Sequence, residues 1–344
     1  MPTNAMPRKI IPAANHNAFL IFIFLDPLNT NIIIYIQLTQ LYISCIILKK
    51  ELSMYVVTGA TGFVGSNMVA CLNSHGHNDI LCVDNLNSTK LNNLHGLQFS
   101  DFISPEELLT ADLRGSTIFH MGANSKTSAG DWDSIYKTNV AYTRQLLSCK
   151  HSKFIFASSA SIYGDNRDTR ETADNAAPKN LYAATKFMCD SIIRTKLDHK
   201  TIQSWRFFNV YGKREQHKVD FSQASPYTNF KHQAQTTGRI KLFENSSSVH
   251  RDFICIDDVV EIMYSQSTTE KSFISNLGTG DTFSFQQWAE LIAHYYDAKL
   301  EYIPVPDTIK NGYQLYTRSN NTKLQSIIGD YTFITPEHYT RENQ

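Results

Sequence analysis

The chain has 344 residues, 42% of them hydrophobic, and its 32 basic side chains balance 32 acidic ones. That length accommodates two domains or one large α/β unit with a substantial core, while the zero formal charge and the lack of a Lys/Arg run interleaved with aromatics exclude a nucleic-acid surface and leave a small neutral or anionic metabolite as the fitting partner. Six scattered cysteines without a Cys-x-x-Cys pair read as reduced thiols, and His75-Gly76-His77 alone does not make a metal site, so no metal is expected.

Residues 1–53 differ in character from the rest. Of their two apolar runs, Ala18 to Leu25 is too short to span a bilayer. Ile32 to Leu48, interrupted by Gln37, Thr39 and Gln40, is marginal against the ~20 residues a membrane helix needs. A signal peptide fits poorly, because no small-residue cleavage site follows and Lys49-Lys50-Glu51 intervenes. Residues 1–53 therefore read as a dispensable or misassigned extension, with Met54 the functional start and a membrane anchor the alternative.

The strand Met54 to Thr58 feeds Gly59-Ala60-Thr61-Gly62-Phe63-Val64-Gly65, after which Val64, Met68, Val69 and Leu72 recur at helical spacing. The apolar strand Ile80 to Val83 follows and ends in Asp84-Asn85. In such a β-α-β unit the glycines permit a tight turn and close backbone approach. The helix N-terminus offers free N–H groups to a pyrophosphate, and an acidic residue about twenty positions on suits an adenosine ribose.

Thr117 to His120 and Lys153 to Ala157 are the next strands, separated by a helical stretch from Trp132 to Leu147. This alternation predicts an α/β fold with a parallel, doubly wound sheet and ligands at the carboxyl ends of its strands. Met121-Gly122-Ala123-Asn124-Ser125 falls at one such end and Ser158-Ser159-Ala160-Ser161 at the next. Past about residue 210 the alternation loosens. Glu215 to Gly238 reads as polar and irregular, the character of a binding loop, and Arg251 to Val259 and Phe273 to Gly280 read as short strands meeting loops and helices. A dinucleotide-binding domain over 54–210 and a smaller α/β substrate-binding domain mainly over 211–344, with some segments returning to the first, is the expected organisation.

Tyr182 and Lys186 stand four apart, downstream of Ser158-Ser159. On a helix such a pair shares one face, and an ammonium beside a phenol favours the phenolate, which otherwise forms near pH ~10. Alone the pair is more often a buried tyrosine and a surface lysine on an ordinary helix. Behind a glycine loop and a serine pair it reads as nicotinamide-dependent redox chemistry on an alcohol carbon.

These motifs, with Arg206-Phe207-Phe208-Asn209-Val210-Tyr211-Gly212, resemble the extended short-chain dehydrogenase/reductase family, whose members modify nucleotide sugars, from Met54 to roughly Tyr331. Within it, Lys213 to Lys218, Lys241 to Ser246, Arg251-Asp252-Phe253, Tyr302-Ile303-Pro304 and Gly312-Tyr313-Gln314 are similar to the branch of ADP-glycero-manno-heptose 6-epimerases. The resemblance implies a Rossmann-like fold and a cytoplasmic isomerase with no membrane partner. Its substrate would be ADP-D-glycero-D-manno-heptose, inverted at C6 to the L-glycero form for lipopolysaccharide core assembly, through a ketone made and re-reduced with the same bound NADP. A homo-oligomer, commonly a pentamer, is also implied.

By the same resemblance Tyr182 and Lys218 serve opposite faces of the ketone, Lys186 holds the nicotinamide ribose and lowers the phenol, and Ser159 orients the substrate oxygen. Cofactor contacts carry over to Gly59, Gly62, Phe63, Val64, Gly65, Asp84, Asn85, Lys90, Met121, Gly122, Ala123, Asn124, Ser125, Asn139, Lys186, Val210 and Lys218. Lys90 points to NADP and Asp84 to NAD, and NADP is the expectation.

Substrate contacts carry over to Asn209, Asp220, Tyr227, Phe243, Glu244, Asn245, Ser246, Arg251 and Tyr313, where the planar fork of Arg251 suits a diphosphate. The chain departs from the family at Val219-Asp220-Phe221, at Tyr227 in place of a histidine, at Pro105 near a cofactor-contacting lysine, and in a short C-terminus. An enzyme acting on another nucleotide sugar of UDP-hexose type, or a non-catalytic dinucleotide-binding scaffold, are the alternatives. A dehydratase fits less well, since Ala160-Ser161-Ile162 lacks an acidic residue.

Overall fold

Strands with apolar side chains on both faces need cover on both sides, and that requirement organises the protein. The computed structural model describes residues 54–86, 88–125, 131–218, 224–306 and 314–344. Its central sheet contains β1 (Tyr55–Thr58), β2 (Ile80–Val83), β3 (Asp101–Ile103), β4 (Thr117–His120), β5 (Lys153–Ser159), β6 (Thr201–Phe207) and β7 (Phe273–Leu277). All neighbours are parallel, in the order β7-β6-β5-β4-β1-β2-β3.

Alternate residues face opposite cores. Val57, Ile80, Cys82, Phe119 and Ile155 point to one face, covered by α1 (Phe63–Ser74) and the later helix Ile256–Ser267. Val56, Leu81, Val83, Ile118 and Phe154 point to the other, covered by Tyr142–Ser148 and α2 (Leu181–Arg194). This is the doubly wound, Rossmann-like arrangement that the alternation predicts. Strand order reverses about β1, between β2 and β4, where this fold opens its ligand crevice.

The helical stretch expected from Trp132 to Leu147 is present but carries a π-bulge over Lys137–Ala141, which turns Asn139 inward. β3 has no counterpart among the predicted strands. Its pattern is half-exposed, and it sits at the sheet edge.

Beyond β6 the chain builds a second cluster. Arg239–Phe243 pairs in parallel with Lys299–Ile303, and Asn209–Tyr211 with Phe253–Cys255. Two helices, α3 (Pro226–Thr237) and Phe285–Tyr296, pack beside them around Trp288. The expectation of an irregular segment from Glu215 to Gly238 is corrected by α3. Ser225 caps it through the Thr228 amide, Pro226 opens it, and Tyr227, Phe230 and Ala234 bury its apolar side.

The helix Ile256–Ser267, called α4, and β7 return to the central sheet. Pro105 opens a short helix capped by Ser104, and the chain closes with the helix Pro336–Glu342, whose Tyr339 is buried. Among the described residues no helix is long and apolar enough to cross a membrane. The apolar runs of residues 1–53 lie outside the described residues.

Candidate active site

The carboxyl ends of β1 and β4 meet at glycines. Gly59 lies at φ +65°, and a Cβ there would come within 2.7 Å of Gly122 backbone atoms, so no larger residue fits without moving the loop. The Gly122 amide donates to Thr58 Oγ1 at 3.1 Å, and the same hydroxyl sits 2.6 Å from His120 Nδ1, which ties the two loops together. Gly65 packs so closely that a Cβ would stand 2.1 Å from the Gly59 carbonyl oxygen.

α1 begins at Gly62 with no capping side chain and no acidic residue in its first turn. Its first amides, at Phe63, Val64 and Gly65, therefore suit an anion. Asp84, at the end of β2, accepts from the Thr61 amide and hydroxyl and from the Asn85 amide at 3.1, 2.6 and 2.8 Å. A carboxylate has room for a further hydroxyl donor. These donors and acceptors fit the pyrophosphate and ribose of a dinucleotide.

Lys90 lies on the short helix Ser88–Leu91, near enough to His217 to help hold that imidazole below its ordinary range, where burial is the main cause. Asn139 is buried. Its Oδ1 accepts from the Asn124 amide at 2.8 Å, and its Nδ2 donates to the Asn124 carbonyl and to Thr185 Oγ1, both at 3.0 Å. It thereby positions the Met121–Ser125 segment through its own amide.

Ser159 ends β5, and its Oγ accepts from the Ser161 amide at 3.2 Å. Asn180 caps α2 through the Ala183 amide at 2.8 Å and sets Tyr182 in the first turn. Burial pushes the Tyr182 phenol above its ordinary value, opposed by its hydrogen bond with Ser159. The lowering expected from Lys186 is therefore corrected: burial sets the direction, and the group that opposes it is Ser159.

Lys186 itself is buried and donates to the Ala157 carbonyl at 2.6 Å, with its Nζ 5.8 Å from the centre of the Tyr182 ring. Burial pulls its ammonium down to about 8, against Cys189 and Asp190.

Lys218 comes from a loop secured against α1 and the segment around Asn93. The Lys213 carbonyl accepts from Asn67 Nδ2 at 3.0 Å, Arg214 donates to the Asn93 carbonyl, and Asn93 Nδ2 bonds the Thr61 carbonyl at 2.9 Å. Lys218 Nζ lies 5.2 Å over the Phe63 ring and pairs with Glu215. The buried Glu215 carboxylate also accepts from the Ser225 amide at 3.0 Å and from the Ser225 and Thr228 hydroxyls at 2.6 and 2.7 Å.

Tyr182, Ser159, Lys218 and Phe63 line one cavity of 740 Å³, together with the predicted Asn209, Val210, Phe243 and Ser246. Ser158 and Ser246 direct buried hydroxyls with no hydrogen-bond partner among the described residues, so both can bond a ligand. Glu244 and Asn245 lie off the cavity wall, Glu244 exposed and Asn245 half-buried. Arg251 is buried with its guanidinium 6.0 Å from the centre of the Phe285 ring, and Phe285 lines the cavity. Asp220 and Tyr313, with the departure at Val219 to Phe221, fall outside the described residues.

Tyr227 is an expected substrate contact that the fold turns into the aromatic core. It packs between Tyr211, Trp288 and Tyr339, with its hydroxyl 3.3 Å from the Asn343 carbonyl. Helical spacing is the reason: Pro226, Asn229, Phe230 and Gln233 form the cavity-facing stripe of α3, and position 227 lies off it. Asn229 and Gln233 are thus polar wall residues that sequence reasoning missed. The Ser225-Pro226 start signal was the available clue.

The model of the NAD dependent epimerase/dehydratase family matches residues 55–277. Among solved structures, the chain is similar to the ADP-L-glycero-D-manno-heptose-6-epimerase of Helicobacter pylori, with 25% identity and a TM-score of 0.73 over 84% of this chain and 94% of that one. It shares its fold with the UDP-N-acetylglucosamine 4-epimerase of Methanobrevibacter ruminantium M1 (22% identity, TM-score 0.73, 84% and 96% covered). The same holds for the UDP-glucose 4-epimerase of Thermotoga maritima (24%, 0.70, 85% and 99%).

Proposed function

This chain belongs to the NAD dependent epimerase/dehydratase family, and from that premise we propose that it is an isomerase inverting C6 of ADP-D-glycero-D-manno-heptose with bound NADP. The observation that carries the reading is that Tyr182 and Lys218, from separate elements, line one cavity. A one-way dehydrogenase needs a single proton-transfer group beside its carbinol, whereas two such groups in one cavity suit an epimerase that serves the oxygen from either side. The Helicobacter pylori enzyme, similar over most of both chains, supports the substrate.

In this reading residues 54–210 hold the dinucleotide and 211–344 mainly the sugar nucleotide. The first turn of α1, Asp84, Lys90 and the Met121–Ser125 segment hold a dinucleotide whose nicotinamide supplies reversible hydride acceptance. Tyr182 Oη takes the carbinol proton on one side and returns it, and its bond with Ser159 keeps it directed at that oxygen. Lys218 Nζ, an ammonium aimed by the buried Glu215 carboxylate, would give a proton to the ketone oxygen from the other side, and solvent would restore the two groups between turnovers. The phenyl rings of Phe207, Phe208, Phe243 and Phe285 on the cavity wall exclude water from the ketone.

The test is incubation of the full chain, loaded with NADP, with ADP-D-glycero-D-manno-heptose, following C6 configuration by NMR, with UDP-glucose as the parallel substrate. Conversion to the L-glycero form is expected. Turnover of UDP-glucose with none of the ADP-heptose would overturn the substrate assignment, and bound dinucleotide with neither turnover would favour a scaffold.

A further inference from the structure

Away from the cavity, the end of α1 and the middle of α4 bring together three side chains that the proposed reaction does not use. Cys71 and His75 stand one helical turn apart on the last turn and cap of α1, and Glu261 reaches them from α4, which shares a core with it. Glu261 Oε1 and Oε2 lie 3.1 and 3.0 Å from His75 Nε2, and Oε2 lies 3.7 Å from Cys71 Sγ. The three donor atoms all fall within 4.8 Å of one another.

Zinc binds sulfur at ~2.3 Å and nitrogen or carboxylate oxygen at ~2.0–2.2 Å in a tetrahedron, which sets neighbouring donors roughly 3.3–3.7 Å apart. The separations of Glu261 from His75 and from Cys71 are close to the edges of such a tetrahedron, and Cys71 Sγ and His75 Nε2 lie within 4.8 Å of each other, which side-chain rotation can close. Cys71 is 7% exposed, whereas the side chains of His75 and Glu261 are 35% and 47% exposed. The sulfur side is therefore closed by protein, and the opposite side is open for entry and for a water ligand.

The imidazole is also oriented. The His75 ring stacks on Tyr264 with centroids 4.1 Å apart. His77, its partner in the His-Gly-His motif, is held elsewhere, with Nε2 2.9 Å from the Tyr264 hydroxyl.

We infer that Cys71, His75 and Glu261 form a binding site for a zinc-class divalent transition-metal ion that clamps α1 to α4. Magnesium and calcium favour all-oxygen shells, so thiolate and imidazole together select the softer ions. The ion replaces the thiol proton, which passes to solvent.

The experiment titrates cobalt(II), then zinc, into the chelator-treated full chain. One ion per chain, a thiolate-to-cobalt charge-transfer band with tetrahedral visible absorption, displacement by zinc, and a melting temperature that climbs with zinc are expected. Cys71→Ser removes the band. His75→Ala and Glu261→Gln, at partly exposed side chains, weaken binding at least about tenfold with the metal-free melting temperature held near that of the parent. A folded chain without the band, or a band that survives Cys71→Ser, overturns the inference, as does binding indifferent to His75→Ala and Glu261→Gln.

Discussion

Replacing Arg206 by methionine tests what holds α2 against the sheet. Arg206 Nε donates to Asp190 Oδ2 at 2.8 Å, with the two side chains 1% and 2% exposed. Asp190 lies one turn past Lys186 on α2, and Arg206 lies on β6 beside the strand that ends in Ser159. Ser204 Oγ donates to the other Asp190 oxygen at 2.6 Å, and Arg206 also donates to the Tyr163 hydroxyl at 2.9 Å.

Methionine matches the volume but leaves the buried Asp190 carboxylate with the Ser204 hydroxyl alone. Removing one partner of a buried pair costs about 3–5 kcal/mol. At roughly 2–4 °C per kcal/mol in domains of moderate size, the melting temperature falls by roughly 6–20 °C. Urea denaturation followed by tryptophan fluorescence measures the loss, and the buried Trp205 adjoins the pair. The double variant Asp190→Leu/Arg206→Met recovers most of it, because both desolvation costs disappear with the attraction. A single variant within about 1 kcal/mol of the parent, or a double variant as unstable as the single one, would refute the reasoning.

Tyr182→Phe and Lys218→Ala each lower steady-state epimerisation about 10²–10⁴-fold while dinucleotide binding persists; full turnover in either removes that residue from the chemistry. Gly65→Ala drives a methyl group into the Gly59 carbonyl and abolishes dinucleotide binding in a fluorescence titration, and parental affinity would show that the loop yields. Lys186 falls from its ordinary 10.5 to about 8 in the fold. The folded chain therefore binds fewer protons than the unfolded one between those values, and stability rises with pH across that window. Below it, the buried ammonium costs about 3 kcal/mol. Lys186→Met flattens that rise in the dinucleotide-free chain, and an unchanged slope between pH 8 and 10.5 would show that the ammonium is not the group responsible.

The fold was legible because its signals are local. A four-residue apolar strand before Gly59, helical spacing at Met68, Val69 and Leu72, and a second apolar strand ending in Asp84 specify a β-α-β unit without knowledge of anything distant. The same holds for Tyr182 and Lys186, whose common face follows from their spacing on one helix. What failed lay where tertiary context decides. Glu215 to Gly238 looked irregular because α3 keeps polar residues such as Asn229 and Gln233 on a cavity wall, which masks its apolar stripe. The phenol of Tyr182 shifts opposite to expectation because burial, which spacing along the chain does not reveal, acts on it more strongly than its hydrogen bond with Ser159.

The sequence by itself determined the order of elements, the glycine loop and the Tyr182/Lys186 face, since each rests on neighbours within a few residues. Only the tertiary structure decided which distant groups meet. Lys218 reaches the cavity because Asn67 and the Asn93 carbonyl secure its loop at Lys213 and Arg214, and Glu215 pairs with it from a buried position. Tyr227 is turned into the aromatic core by the phase of a helix. Cys71 and His75 acquire Glu261 as a third neighbour from a chain segment far downstream. Spacing along a chain fixes directions within one element, whereas contact between elements depends on how buried faces pack, and no local pattern encodes that.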